Sequence, residues 1–279
     1  MAIMDEKSAF DVVQHTILLD MLLDRNIDPR LWLIVKDMYS VLTSRIKWAG
    51  GLSESYNICQ GVRQGDILST HLYKIFVEDL LLELEENSLG FQLGNIFIGT
   101  LTCADDVAFI ENDKDNLQVM LNVIERYADQ HHYQIHPTKT KIIEYTNTQT
   151  NNHKWYLNER ELESPNDATY LGITRTVKNE CGKNVEERIK TARCTSYSLM
   201  GSGMHGTNGI DPCTSYQIYT AYVLPRLLYG LELLPLKRKH VDQLEKFHRQ
   251  SIRYMQSLPQ RTSVSAVYLL IGALPVEAE

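Results

Sequence analysis

Cysteine is scarce and scattered: Cys59, Cys103, Cys181, Cys194 and Cys213 are odd in number and never fall in Cys-x-x-Cys spacing. That argues against a disulfide framework and against a zinc site, and the five read as buried thiols. No apolar run approaches the roughly 20 residues that a membrane-spanning helix needs. Residues 1–5 (MAIMD) lack the basic start and apolar core of a signal peptide, so the chain is expected inside the cell, in nucleus or cytoplasm. Internal repeats and low-complexity tracts are missing too. What remains is an ordinary globular composition, 43% hydrophobic and 23% charged over 279 residues, enough for one large core or two modest ones.

Positive charge is also in deficit, the net charge being -7, but the deficit is uneven. Residues 1–182 carry 16 Lys and Arg against 27 Asp and Glu, whereas residues 183–253 carry 11 against 6. The basic segment suits a phosphate backbone, and the acidic part would repel one except where metal ions intervene. Lys246, Arg249 and Arg253 are the candidate nucleic-acid contacts, a solvated basic helix face being the equally ordinary alternative.

The apolar pattern gives an element order. A short apolar run, residues 1–4, precedes Asp5. Leu18, Leu19, Leu22 and Leu23 share a helical face, and Asp28-Pro29 starts a second helix whose core stripe is Leu31, Ile34, Val35, Met38 and Leu42. Residues 43–47 and 56–60 flank Ala49-Gly50-Gly51 as a hairpin. GVRQGDILST at residues 61–70 opens a long amphipathic helix. Two apolar runs, 96–101 and 107–110, bracket Cys103-Ala104-Asp105-Asp106 as strands around a turn. A helix near 117–128 and a strand at 141–145 complete this part, the polar run 147–154 reads as a loop, and the chain beyond about 180 is helical. Helices on one face of an antiparallel sheet make an α+β fold.

Adjacent carboxylates at a hairpin tip are a place to hold metal, although such a pair by itself is more often a solvated turn. A third carboxylate, Asp5, stands a hundred residues upstream in the spacing Asp-x-x-x-Ala-Phe. Taken in order, MDEKSAFDVVQH (residues 4–15), GVRQG (61–65) and CADD (103–106) resemble the palm of a reverse transcriptase of the type carried by non-LTR (LINE-type) retrotransposons. Lys139-Thr140, Tyr170-Leu171-Gly172, PRLLYGLE (225–232) and GALP (272–275) extend the resemblance over nearly the whole chain.

The resemblance implies an RNA-directed DNA polymerase palm over residues 1–180, with a mostly helical thumb and following segment over 181–279. It implies two-metal nucleotidyl transfer to a primer 3'-hydroxyl, with a pair of Mg²⁺ ions about 3.5–4 Å apart. Asp5 and Asp105 would be the metal ligands and Asp106 a supporting carboxylate. Phe10 would pack on the sugar of the incoming deoxynucleotide. Gln64 and Gly65 would contact nucleotide and template, Arg63 either joining them or forming a structural ion pair, and Lys139 would lie near the phosphates. Tyr170, Leu171 and Gly172 would support the primer end. The implied partners are an RNA template, a DNA primer and deoxynucleoside triphosphates.

The departures are Cys103 for the usual aromatic, Asp66 for a small residue, Thr70 for proline and His136 for asparagine, none of which removes a catalytic carboxylate. The family places its fingers before the residue matching Asp5, where four residues stand here. The expectation is a truncated polymerase, weak or inactive alone, with neither an endonuclease nor a Cys-His zinc segment. The alternative is an inert remnant serving at most as a nucleic-acid-binding module. A nucleotide cyclase is disfavoured by GVRQG and the thumb-like segments.

Overall fold

The computed structural model describes residues 1–145, 153–206 and 208–278, so the expected loop at 147–154 lies mostly outside the described residues. Two compact units, Met1–Leu171 and Gly172–Glu279, divide the chain. The division falls upstream of the expected position near 180. The strand Ile173–Thr176 packs on helix α5 (Glu180–Met200), where the Thr174 amide donates to Asn184 Oδ1 at 2.9 Å.

The first unit is α+β. Its four-stranded antiparallel sheet runs in the order Lys141–Ile142, Ala2–Met4, Asp106–Phe109, Thr100–Cys103. In that register Ala2 faces both Phe109 and Ile142, and Met4 faces Val107. These five side chains point to one face and are buried in one core with Leu72, Phe76, Met120 and Ile124. The helical residues come from α3 (Ile67–Glu86) and α4 (Lys114–Gln130). Asp66 caps α3 by accepting the Leu68 amide at 3.1 Å, and Asp113 caps α4 by accepting the amides of Asp115 and Asn116. The unexpected acid in GVRQGD is thus a helix cap.

Helices α1 (His15–Asp24) and α2 (Pro29–Ser40) lie between the first strand and α3 in sequence. The expected core stripe of α2 is corrected here. Leu31, Ile34 and Met38 of that stripe are exposed and no residue of α2 is buried; Val35 packs against the core as expected, but with Trp32 and Tyr39 rather than with the other stripe residues. The Trp32 indole N–H donates to the Leu19 carbonyl at 2.9 Å, which fixes the face turned inward. The hairpin that follows pairs Thr43–Ser44 with Tyr56–Asn57 and Lys47–Trp48 with Gly51–Leu52 around the expected Ala49-Gly50 turn. The apolar run 96–101 is two strands, not one: Ile96–Phe97 pairs with Gln92–Leu93, and Thr100–Cys103 joins the main sheet.

The second unit is mainly helical. Helices α5, α6 (Pro212–Tyr222), α7 (Leu224–Leu228), α8 (Arg238–Met255) and α9 (Val264–Leu269) share a core that includes Val185, Tyr219, Leu227, Leu244, Ile252 and Val267. Asp211 caps α6 ahead of Pro212 in the position its Asp-Pro pair announces.

The cysteines also need correcting. Cys59, Cys103, Cys194 and Cys213 are exposed and Cys181 is half-buried, all as free thiols. Cys103 lies on the outermost strand of the sheet, and Cys213 lies in the first turn of α6, where a small side chain has nothing to cover it. Among the described residues no helix is long and apolar enough to cross a membrane.

Candidate active site

The hairpin Thr100–Cys103/Asp106–Phe109 closes in register at Cys103 and Asp106, leaving Ala104 and Asp105 as a two-residue loop. Ala104 sits at φ 57°, a left-handed conformation that costs a non-glycine residue about 1–2 kcal/mol. Asp105 is therefore at the tip and Asp106 begins a strand.

Met4, the last residue of its strand, pairs with Val107, so Asp5 and Asp106 are the next residues along the two paired chains. Alternation puts both on the face away from the helical core. The coupling shows in the charges. Partial burial, then Asp105 and then Asp5, raise the Asp106 carboxyl above its ordinary value.

Glu6, which the sequence did not single out, lies beneath this group. It is 9% exposed, its Oε2 accepts from the Tyr73 hydroxyl, and its Oε1 has no hydrogen-bond partner. Burial first, with help from Asp105 and Asp5, pushes its carboxyl up to about 7, against the opposing effect of the Tyr73 bond. Below the unfolded value near 4.5 both folded and unfolded chains hold the proton; as pH climbs through 7 the folded protein must bury a carboxylate. Stability is therefore expected to fall over that window, and Glu6→Gln to remove most of the fall. The variant should gain on the order of 1–3 kcal/mol over wild type at pH 8. Urea unfolding from pH 5 to 8 in EDTA reads this, and an equally steep slope in the variant would assign the dependence elsewhere.

The segment after Asp5 is joined to GVRQG. The Gly61 amide donates to the Val13 carbonyl at 2.8 Å, the Val62 amide to the Phe10 carbonyl at 2.7 Å, and the His15 ring bonds the Gly61 carbonyl at 2.8 Å. Two glycines of the motif differ in what surrounds them. A Cβ on Gly61, at φ 92°, would meet the Asp11 carbonyl oxygen at 2.9 Å, whereas one on Gly65, at φ 86°, would meet nothing within 4 Å. Gly61 thus serves the chain's own packing, and Gly65 stands beside open space. Arg63, Gln64 and Gly65 are exposed, and Arg63 makes no ion pair among the described residues. Phe10 is half-buried, its ring 5.0 Å from that of Tyr73.

Lys139 reaches back to Asp5, Nζ to Oδ2 at 3.1 Å. Oδ2 is buried and has no aligned hydrogen bond, so this contact is an ion pair without hydrogen-bond geometry. Tyr170 is buried, and its hydroxyl donates to the Leu101 carbonyl at 2.9 Å, which ties Tyr170-Leu171 to the strand leading into the carboxylate hairpin. Gly172 belongs to the second unit, where its carbonyl accepts from Arg188.

Among the described residues no group of three or more His, Cys, Asp or Glu side chains is arranged to hold a metal ion. Asp5 and Asp105 offer two carboxylates of the hard-oxygen type, with the buried Asp5 Oδ2 served only by Lys139. That donor set fits Mg²⁺, which takes one or two carboxylates and fills its sphere with water and substrate phosphates.

In the second unit, Lys246 lines a groove of about 470 Å³ with Lys190, Arg193, Gln243, Phe247 and Gln250, between α5 and α8. Arg253 instead donates to the Thr262 carbonyl at 3.1 Å, and Arg249 does not line the groove. Lys190 and Arg193 of α5 stand apart in sequence from the denser basic run of α8, and only the packing of the two helices brings them beside Lys246.

A family model described as reverse transcriptase (RNA-dependent DNA polymerase) matches residues 1–175. The chain is 26% identical over 265 residues to the RNA-directed DNA polymerase from mobile element jockey of Drosophila melanogaster, covering 92% of this chain and 28% of that protein. It is also 26% identical over 293 residues to the Pol polyprotein from a type-1 retrotransposable element R2 of Nasonia vitripennis, covering 99% and 27%. The chain therefore spans about a quarter of the length of these curated relatives. Its fold matches telomerase from Candida albicans, solved in complex with a fragment of telomeric RNA, with TM-score 0.51 and 11% identity over 98% of this chain and 51% of that one.

Proposed function

The chain belongs to the reverse transcriptase (RNA-dependent DNA polymerase) family, and from that premise we propose that it forms the palm and thumb of a LINE-type polymerase that extends a DNA primer on an RNA template. The observation that carries the reading is the coupled carboxylate group: Asp5 follows the strand that pairs with the strand begun by Asp106, Asp105 stands at the adjoining loop tip, and both Asp105 and Asp5 raise the Asp106 carboxyl. Such a cluster of negative charge is costly unless a cation shares it.

Asp5 and Asp105 would hold two Mg²⁺ ions, with Asp106 beside them. When bound, the ions supply charge neutralisation at the attacking 3'-hydroxyl and the leaving pyrophosphate. The chain's own residues do the rest. Phe10, braced by Tyr73, limits the room beside the incoming sugar and so favours a deoxynucleotide. Gly65 leaves open space in which backbone approaches the nascent pair, with Arg63 and Gln64 exposed just before it. Tyr170 and Leu171 hold the primer end near the hairpin that bears Asp105, with Gly172 continuing that segment. Lys246, with Arg249 and Arg253 on the same helix, gives α8 positive charge for the duplex backbone, and such contacts weaken as salt rises. Relatives named for mobile elements and a fold neighbour solved with RNA support template and primer as partners.

Primer extension tests the proposal. On an RNA template with Mg²⁺ and deoxynucleotides, whatever synthesis the unmodified chain supports, weak as it is expected to be, should be lost with Asp105→Asn because catalysis here is chiefly positioning and electrostatics. Synthesis that persists in the variant would place the chemistry elsewhere or in a contaminant. A chain that binds primer-template with no metal-dependent synthesis favours the nucleic-acid-binding alternative.

A further inference from the structure

We infer that Lys139 and a divalent cation compete for the Asp5 carboxylate, so that the lysine is an internal counter-ion which an arriving metal must displace. The inference rests on the metal-binding role proposed above for Asp5 and Asp105.

The ion pair is built in by the backbone. The His136 amide donates to the Asp5 carbonyl at 2.9 Å, and the Asp5 amide points to the Thr140 hydroxyl at 3.5 Å, so the chain on both sides of Lys139 is tied to Asp5 itself. Thr140 is fully buried, which pins that end of the segment. From this anchored loop the Lys139 side chain reaches Oδ2 at 3.1 Å while remaining 61% exposed. Among the described residues, no other Lys or Arg forms an ion pair with Asp5, Glu6, Asp105 or Asp106. Lys139 is therefore the one ion-pair partner of this carboxyl group among the described residues, and it acts on Asp5.

Asp5 Oδ2 is buried with the Lys139 ammonium against it, and an ammonium and a divalent cation drawn to one carboxylate repel each other, so the two compete for it. A lysine suits such an exchange, because its charge sits on a flexible stem and can swing into water at little cost. Once displaced it stays tethered beside the carboxylates by residues 136 and 140, with its ammonium free for an anionic ligand. Metal binding would thus turn a lysine paired within the protein into one available to phosphate.

The test is Mn²⁺ binding by the full chain, read from the electron paramagnetic resonance signal of the free ion. Lys139→Met is expected to bind Mn²⁺ about three- to tenfold more tightly than wild type, since a partly exposed ion pair and a nearby repulsive charge are both removed. Lys139→Arg, which keeps the charge, should stay within about twofold. The Lys139 side-chain ¹⁵N resonance should shift as Mg²⁺ is added to wild type and the lysine leaves Asp5. Unchanged or weaker affinity in Lys139→Met, with wild-type binding intact and lost in Asp105→Asn, would overturn the competition while leaving the metal reading standing. Absence of Mn²⁺ binding by every variant would overturn both.

Discussion

Gly61→Ala is expected to lower the stability of the first unit by about 3–5 kcal/mol, a large share of the roughly 5–15 kcal/mol that holds a typical domain together. The new Cβ would lie 2.9 Å from the Asp11 carbonyl oxygen, 3.0 Å from its Cα and 3.2 Å from its carbonyl carbon. All three are backbone atoms, so no side chain can turn aside to make room. The φ of 92° adds left-handed strain. Relief requires the turn segment carrying Phe10 and Val13 to move off Gly61-Val62, which breaks the 2.8 and 2.7 Å backbone bonds and the His15 contact. Gly65→Ala shares the strain at φ 86° but meets no atom, and should cost about 1–2 kcal/mol. Urea unfolding of the two variants compares them directly. Equal midpoints would show that the close approach at Asp11 relaxes freely and that both glycines are retained for conformation alone.

Asp105→Asn is expected to weaken divalent-cation affinity by at least about 100-fold, because removing even an outer-shell partner of a metal ligand costs about 10–100-fold. The substitution keeps the shape of the loop and removes one charge from a group whose members already repel one another. Asp106→Asn should cost less, about tenfold, since Asp106 is assigned a supporting place. Backbone cleavage by Fe²⁺ and peroxide separates the cases without any need for turnover. Iron bound between Asp5 and Asp105 should cut the wild-type chain near both residues, and Asp105→Asn should abolish both cuts together. Cleavage persisting near Asp5 alone would mean that the two carboxylates do not share an ion.

Much of the local structure was legible because its causes are local. Asp28-Pro29 and Asp211-Pro212 announce helix starts, and both aspartates accept amides of the following turn. Ala49-Gly50 marks a hairpin turn, and the pairing around it follows. The α2 stripe was misread because periodicity identifies a helix's apolar positions but not which of them meets a neighbour. Trp32, Val35 and Tyr39 satisfy a 3.6-residue repeat as well as Leu31, Ile34 and Met38 do, only Val35 being common to the expected stripe and the packed face, and the Trp32 indole bond to Leu19 marks the face turned inward. The thiols were misread for a related reason: a small, mildly apolar side chain has burial decided by whatever packs over it.

The amino-acid sequence by itself determined the family, the α+β class and the order of the motifs, since these reside in residue identity and spacing. It also supplied the three aspartates as candidates. Tertiary structure alone decided that Asp5 and Asp105 come close enough to raise the Asp106 carboxyl, that Glu6 is buried beside Tyr73, and that Lys139 is paired with Asp5. Each of these depends on strand register or on contacts between residues far apart in the chain, and an electrostatic shift such as that of Glu6 depends on distance and burial together. Residue type states which charges exist; only the fold states how close they come and how much water lies between them.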